Sequence, residues 1–176
     1  MKVSYFDKQH IKEYLLYGTL AAILFAVPVW YFLYKADYLN SWMVYSGSIF
    51  FMFVIILYCI KLSKREPEYQ STWMMVIVSH FAVLTGIVLS VILSLILCFI
   101  YIPDFMTGHS SSSFLENAPT YANPKNIGTL FQIFIPATVE NFGVGGFIAV
   151  LAPYVFKRNQ TKDRAAPLNE MGKAKL

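Results

Sequence analysis

The chain has 176 residues, of which 57% are hydrophobic and 14% charged, and carries a net charge of +4. A soluble domain usually has about 25% charged residues. Here one charge, Glu140, falls inside the four apolar stretches 14–34, 42–60, 73–102 and 127–156, and all others fall outside them. Each stretch reaches the roughly 20 residues needed to cross a hydrocarbon core of about 30 Å. That pattern excludes a soluble enzyme, a disulfide scaffold, a nucleic-acid-binding domain and a porin-like barrel.

Residues 1–13 read as a cytoplasmic amphipathic lead-in, with Val3, Phe6 and His10 on one face and the lysines on another. Such a segment lies in the headgroup layer. The first span, about 14–34, contains Pro28, which removes one backbone donor and bends a helix. Its apolar run is longer than a secretory signal carries, and its far end, Trp30 to Tyr34, lacks small residues for cleavage, so it reads as an uncleaved anchor. A short connection then predicts that the second span, about 42–60, is an antiparallel neighbour.

The third span, about 73–102, would be ~45 Å long as one helix. Its small residues recur every four positions: Ala82, Gly86, Ser90, Ser94 and Cys98. Such a stripe lets helix backbones approach closely inside a bilayer. Gly18, Ala22 and Ala26 form a shorter stripe on the first span, and Gly143, Gly145, Gly146 and Ala149 slim the last one. These three helices are expected to pack together. The second span, bulky with Phe50, Phe51, Phe53, Ile55, Ile56 and Leu57, is expected to face lipid.

Segment 103–126 is rich in Ser, Pro and Asn and reads as an irregular outer loop. Phe114, Leu115 and Tyr121 are the residues that would fold it back onto the helix ends. The fourth stretch is either one helix or is divided at Pro136. The divided version is slightly preferred: 127–136 then lies at the outer interface and the span runs about 137–156. The basic tail, 158–176, reads as disordered and cytoplasmic.

Orientation follows from the cations. Twelve of the 14 Lys and Arg fall in the N-terminal segment, the second connection and the tail; Lys35 and Lys125 stand alone in the other two connections. Positive charge is retained in the cytoplasm, which puts both termini inside. Trp and Tyr at the span ends mark the same two interfaces. The expected fold is therefore all-α: a polytopic membrane protein with four transmembrane helices in an antiparallel bundle, both termini cytoplasmic.

Few residues invite a chemical reading. Glu140 is a functional candidate because a carboxylate inside a bilayer is costly. At ~1.5 Å per residue it lies about 24 Å from the inner boundary, in the outer quarter of the core. It can build an ion or proton site with Asn141, or be a carboxylate favoured by the first turn of a helix. His80 is the third candidate, but its depth differs from that of Glu140 by about 14 Å, beyond side-chain reach. Cys59 and Cys98 are too far apart in depth for a disulfide. No cofactor or metal motif is present, and nucleic acid is not an expected partner. The expected partners are the lipid bilayer and other membrane subunits or further copies of the chain.

The order of features resembles a family of small four-helix inner-membrane proteins of Bacteroidota classed as a domain of unknown function. The shared features are a first span with Gly18, a short outer turn, and a basic link with Lys61, Lys64 and Arg65. A long small-residue-rich third span follows, then a polar outer segment and a Gly-rich last span ending in Lys157-Arg158. The likeness covers most of the chain as a hydropathy pattern, and Glu140 is not part of it. It implies a bacterial inner-membrane location and no activity. Together these features predict a non-catalytic accessory, scaffold or assembly subunit. The alternative is a small oligomeric transporter or channel using Glu140 and Asn141 near the outer face.

Overall fold

A computed structural model of the chain describes residues 8–64, 72–102, 105, 115–118 and 127–162. The described part is helical. Helix α1 spans Lys8–Lys35, α2 Trp42–Ser63, α3 Thr72–Tyr101, α4 Ile127–Ile135 and α5 Asn141–Lys162. A short 3-10 turn, Tyr38–Asn40, precedes α2, and a π-helical segment, Pro136–Glu140, joins α4 to α5. Four helical stretches are long and apolar enough to cross a membrane: Lys8–Lys35, Tyr38–Ser63, Thr72–Tyr101 and Gly128–Phe156. The chain is thus a multi-pass helical membrane protein by length and composition.

Three boundaries differ from expectation. Lys8 to Glu13 form the first turns of α1, not a separate lead-in, and His10 and Glu13 are buried there. Helical dihedrals continue through Pro136: Ile135 has φ −64° and ψ −50°, and Asn141 has φ −61° and ψ −35°. Proline does change the hydrogen bonding. It has no N–H to give to the carbonyl four residues earlier. The Thr138 hydroxyl donates to the Phe134 carbonyl (2.6 Å), and the Asn141 N–H reaches back to the Pro136 carbonyl. At the far end α5 runs to Lys162, past the expected start of the tail.

The helices are arranged around the axis in the order α1, α2, α5, α3, with α2 and α3 also meeting across it. The expected packing set was therefore incomplete. α2 is a core helix, not a lipid-facing one: Phe51, Val54, Ile55, Tyr58 and Cys59 are buried, while Phe50, Phe53 and Leu57 face outward. The physical reason is complementarity. A notch of small residues excludes water and lipid only if a bulky side chain fills it.

Phe51 is that side chain. A Cβ added at Gly86 on α3 would sit 2.7 Å from its ring, and one at Gly145 on α5 would sit 3.0 Å from it. Gly18 on α1 meets the Ala82 carbonyl and the Thr85 side chain of α3, both at 2.8 Å from a Cβ position. Gly47 on α2 meets the Phe25 carbonyl of α1 at 2.9 Å. The α3 stripe is buried along its length, from Ala82 through Gly86, Ser90 and Ser94 to Cys98. On the last span the packed small residues are Gly145 and Ala149. Gly143 and Gly146 have nothing within 4 Å of a Cβ position, so their expected packing role is corrected. Ala22 is buried as expected, whereas Ala26 is only partly covered and lines a shallow cleft.

One end of the bundle carries the 36–41 turn and is clasped. Tyr38 N–H donates to the Glu116 carbonyl (2.9 Å), and Glu116 N–H donates to the Ala36 carbonyl (2.7 Å). The Asp37 carboxylate accepts from Leu39 N–H (3.1 Å) and from the Asn117 amide (3.1 Å). Leu115 is buried beneath this clasp; Phe114 and Tyr121 lie outside the described residues. Trp30 Nε1 donates to the Tyr101 hydroxyl (2.7 Å), tying α1 to α3 at the same end. Ala36 takes a φ of 50° just past the end of α1, a left-handed position that usually falls to glycine.

The opposite end is held by charge and rings. Lys61 on α2 pairs with Glu13 on α1 at 3.2 Å. Its ammonium also lies 5.2 Å from the centroid of the Tyr17 ring, which stacks on Tyr58 at 4.8 Å.

Candidate functional site

Phe51, Gly86 and Gly145 meet at one level of the bundle and define a dry layer. Moving toward the turn end, each helix next presents a polar residue. Three residues before Phe51 is Ser48; four after Gly86 is Ser90; four before Gly145 is Asn141, with Glu140 beside it. Steps of three or four residues rise about 4.5–6 Å along a helix and return to nearly the same face. Ser48, Ser90, Glu140 and Asn141 therefore share a level. They come from α2, α3 and the junction of the π segment with α5.

All four carry a covered oxygen without a hydrogen-bond partner: Ser48 Oγ, Ser90 Oγ, Glu140 Oε2 and Asn141 Oδ1. Ser48, Ser90 and Asn141 are at most 1% exposed, so the shortfall is not made good at the surface. The Ser48 hydroxyl lies beside the Glu140 carboxyl without reaching hydrogen-bonding geometry. The Asn141 amide is oriented, because its NH₂ donates to the Ala137 carbonyl (3.3 Å) and so leaves Oδ1 as the unpartnered atom of the group. Buried polar groups are nearly always paired. Four unpaired oxygens at one level form the chemically unusual feature of the described chain. Ser94, one turn further along α3, also has an unpartnered buried Oγ and carries the polar line toward the turn end.

The third candidate, His80, is not part of this layer. Its Nδ1 lies 2.8 Å from the Val76 carbonyl of its own helix. A carbonyl only accepts, so Nδ1 carries the proton there. Cys59 Sγ and Ser79 Oγ, 3.4 Å apart, form a separate small contact between α2 and α3. Cys98 is buried and unpaired as a thiol. Among the described residues no three His, Cys, Asp or Glu side chains converge as a transition-metal site would require. The cleft between α1 and α3, lined by Ile23, Ala26, Trp30, Leu93 and Leu97, is apolar and offers no group to orient a substrate.

Sequence reasoning found Glu140 and Asn141 but missed Ser48, and it treated Ser90 only as a spacer. Serine in an apolar helix signals close packing and polar binding equally well. Only the level set by Phe51 separates the two. The fold defines a multi-pass helical membrane protein with one buried oxygen-lined layer. No family model matches the chain, and no match was found among curated proteins or solved structures.

Proposed function

We propose that the protein is a non-catalytic accessory, scaffold or assembly subunit of a bacterial inner-membrane complex. In this reading its spans form an antiparallel bundle with both termini in the cytoplasm. Contact pairs support the alternating directions. Tyr14 with Phe81 and Trp30 with Tyr101 fit a codirectional α1 and α3, and Glu13 with Lys61 and Phe25 with Gly47 fit an opposed α1 and α2. The excess of Lys and Arg at the Lys61 end and in the tail supports the cytoplasmic side. The hydropathy resemblance to small inner-membrane proteins points the same way.

The observation that carries the non-transport reading is the Phe51 ring, wedged between Gly86 and Gly145. In this reading the ring separates the polar layer from the Lys61 end of the bundle among the described residues. The test is recovery of the chain from native membranes in mild detergent. A stoichiometric second membrane protein supports the accessory reading. A uniform homo-oligomer that carries ion flux in liposomes refutes it.

The second reading is a small oligomeric transporter or channel using Glu140 and Asn141 near the outer face. It is favoured by the unpartnered oxygens of the polar layer. It requires flux in proteoliposomes that Glu140→Gln abolishes.

A further inference from the structure

We propose that Ser48, Glu140 and Asn141, with Ser90 across the layer, form a binding site for one dehydrated alkali cation of the sodium class. The site is a resident one that staples α2 and α3 to the start of α5. It does not depend on either reading above, because a cation can be held in the isolated chain with no partner and no flux.

Four observations converge on it. First, the donor set is all oxygen: one carboxylate, one amide carbonyl and two hydroxyls. Hard cations take such ligands, whereas soft metals prefer imidazole and thiolate. Second, two of the four are acceptors by nature. A carboxylate accepts only, and Asn141 has already committed its NH₂ to Ala137. Glu140 Oε2 and Asn141 Oδ1 belong to adjacent residues, and each lacks a donor. A positive guest between them answers both at once; a proton on Glu140 does so only if the carboxyl O–H is given to Asn141 Oδ1, and the pH arm of the test below separates the two.

Third, the charge is matched. With Glu140 ionised the layer holds one formal negative charge, so a monovalent cation leaves it neutral. A divalent ion would leave an uncompensated charge in a medium where that is costly. Fourth, the backbone is built irregularly there. The π-helical segment ends at Glu140, and such segments occur frequently at functional sites. It sets Glu140 beside Ser48 of α2, with the fully buried Asn141 next in sequence. Ser94 continues the polar line toward the turn end, and Phe51 stops it on the other side.

The experiment uses the full chain purified in detergent in choline chloride. Sodium chloride replaces choline at constant ionic strength, and thermal unfolding is followed. A ligand that binds only the folded state raises Tm in a saturable way. The expected result is a saturable rise with sodium. Ser48→Ala or Ser90→Ala should weaken the half-saturating concentration by about tenfold, the loss of one ligand worth about 1.4 kcal/mol. Glu140→Gln should abolish the rise, and Gly143→Ala, whose site is open, should keep it. Serine to alanine is a small change in a buried position, so those variants report even if Glu140→Gln folds poorly. The proposal is overturned if Tm is indifferent to sodium, or if the Ser48→Ala and Ser90→Ala variants titrate like the parent. It is equally overturned if stability follows pH alone, which would make the layer a proton site.

Discussion

Phe51 and Ser48 are three residues apart on α2 and meet opposite environments. Around Phe51, which is fully buried, Gly86 and Gly145 fit the ring closely on two sides. Around Ser48, one turn nearer the 36–41 turn, oxygens from three elements are covered and unpaired. The first layer contributes stability through packing, which drives helix association where lipid is as apolar as the protein. The second contributes none that is visible in the protein alone, since each unpaired polar group costs free energy. A layer that costs stability and is held next to one that supplies it is where a ligand would be expected.

Four substitutions can break or sharpen this contrast. Phe51→Ala should have the largest effect, destabilising by about 3–5 kcal/mol through the cavity it leaves; loss of the folded monomer in detergent would show it. Gly86→Leu should follow, at about 1–3 kcal/mol from overpacking, because a Cβ there already meets the ring at 2.7 Å. If Gly86→Leu left Tm intact, the dry layer would not be the support it is described to be. Ala36→Gly should stabilise by about 1 kcal/mol, since an alanine at φ 50° sits in a region that disfavours a Cβ. That gain would locate strain at the clasped turn, outside both layers. Gly143→Ala should change least, less than about 1 kcal/mol and in the stabilising direction, as helix propensity alone is altered. A large loss at Gly143 would mean that this face meets a partner.

The orientation has its own check. A cysteine introduced in the tail should be labelled only after the membrane is made permeable. Labelling from the outside of intact cells would reverse the assignment and place the polar layer on the cytoplasmic side.

Much of the helical architecture was legible in the sequence, and the reasons are local. Apolar length specifies a span, because an unpaired backbone cannot remain in lipid. The run from Trp73 to Ile102 and the α3 stripe of small residues were visible as composition and spacing. So was the isolation of Glu140 among uncharged neighbours. What spacing could not show was which bulky residue fills a notch. The second span looked like a lipid-facing helix because it has phenylalanines, yet Phe51 and Phe50 point to opposite sides. Gly143, Gly145 and Gly146 looked equivalent as a cluster. Yet 145 continues the four-residue spacing from Asn141 to Ala149, and it alone of the three meets a neighbour within 4 Å.

By itself the sequence determined that four helices can cross a membrane, and it singled out Glu140 as the charge within them. Both are properties of one segment at a time, set by transfer of backbone and side chains from water to hydrocarbon. The tertiary structure decided that Ser48, Ser90, Glu140 and Asn141 lie at one level, and that His80 does not join them. Those residues are up to 93 positions apart. Their meeting depends on the register between helices, which is set by the Phe51 ring seated against Gly86 and Gly145.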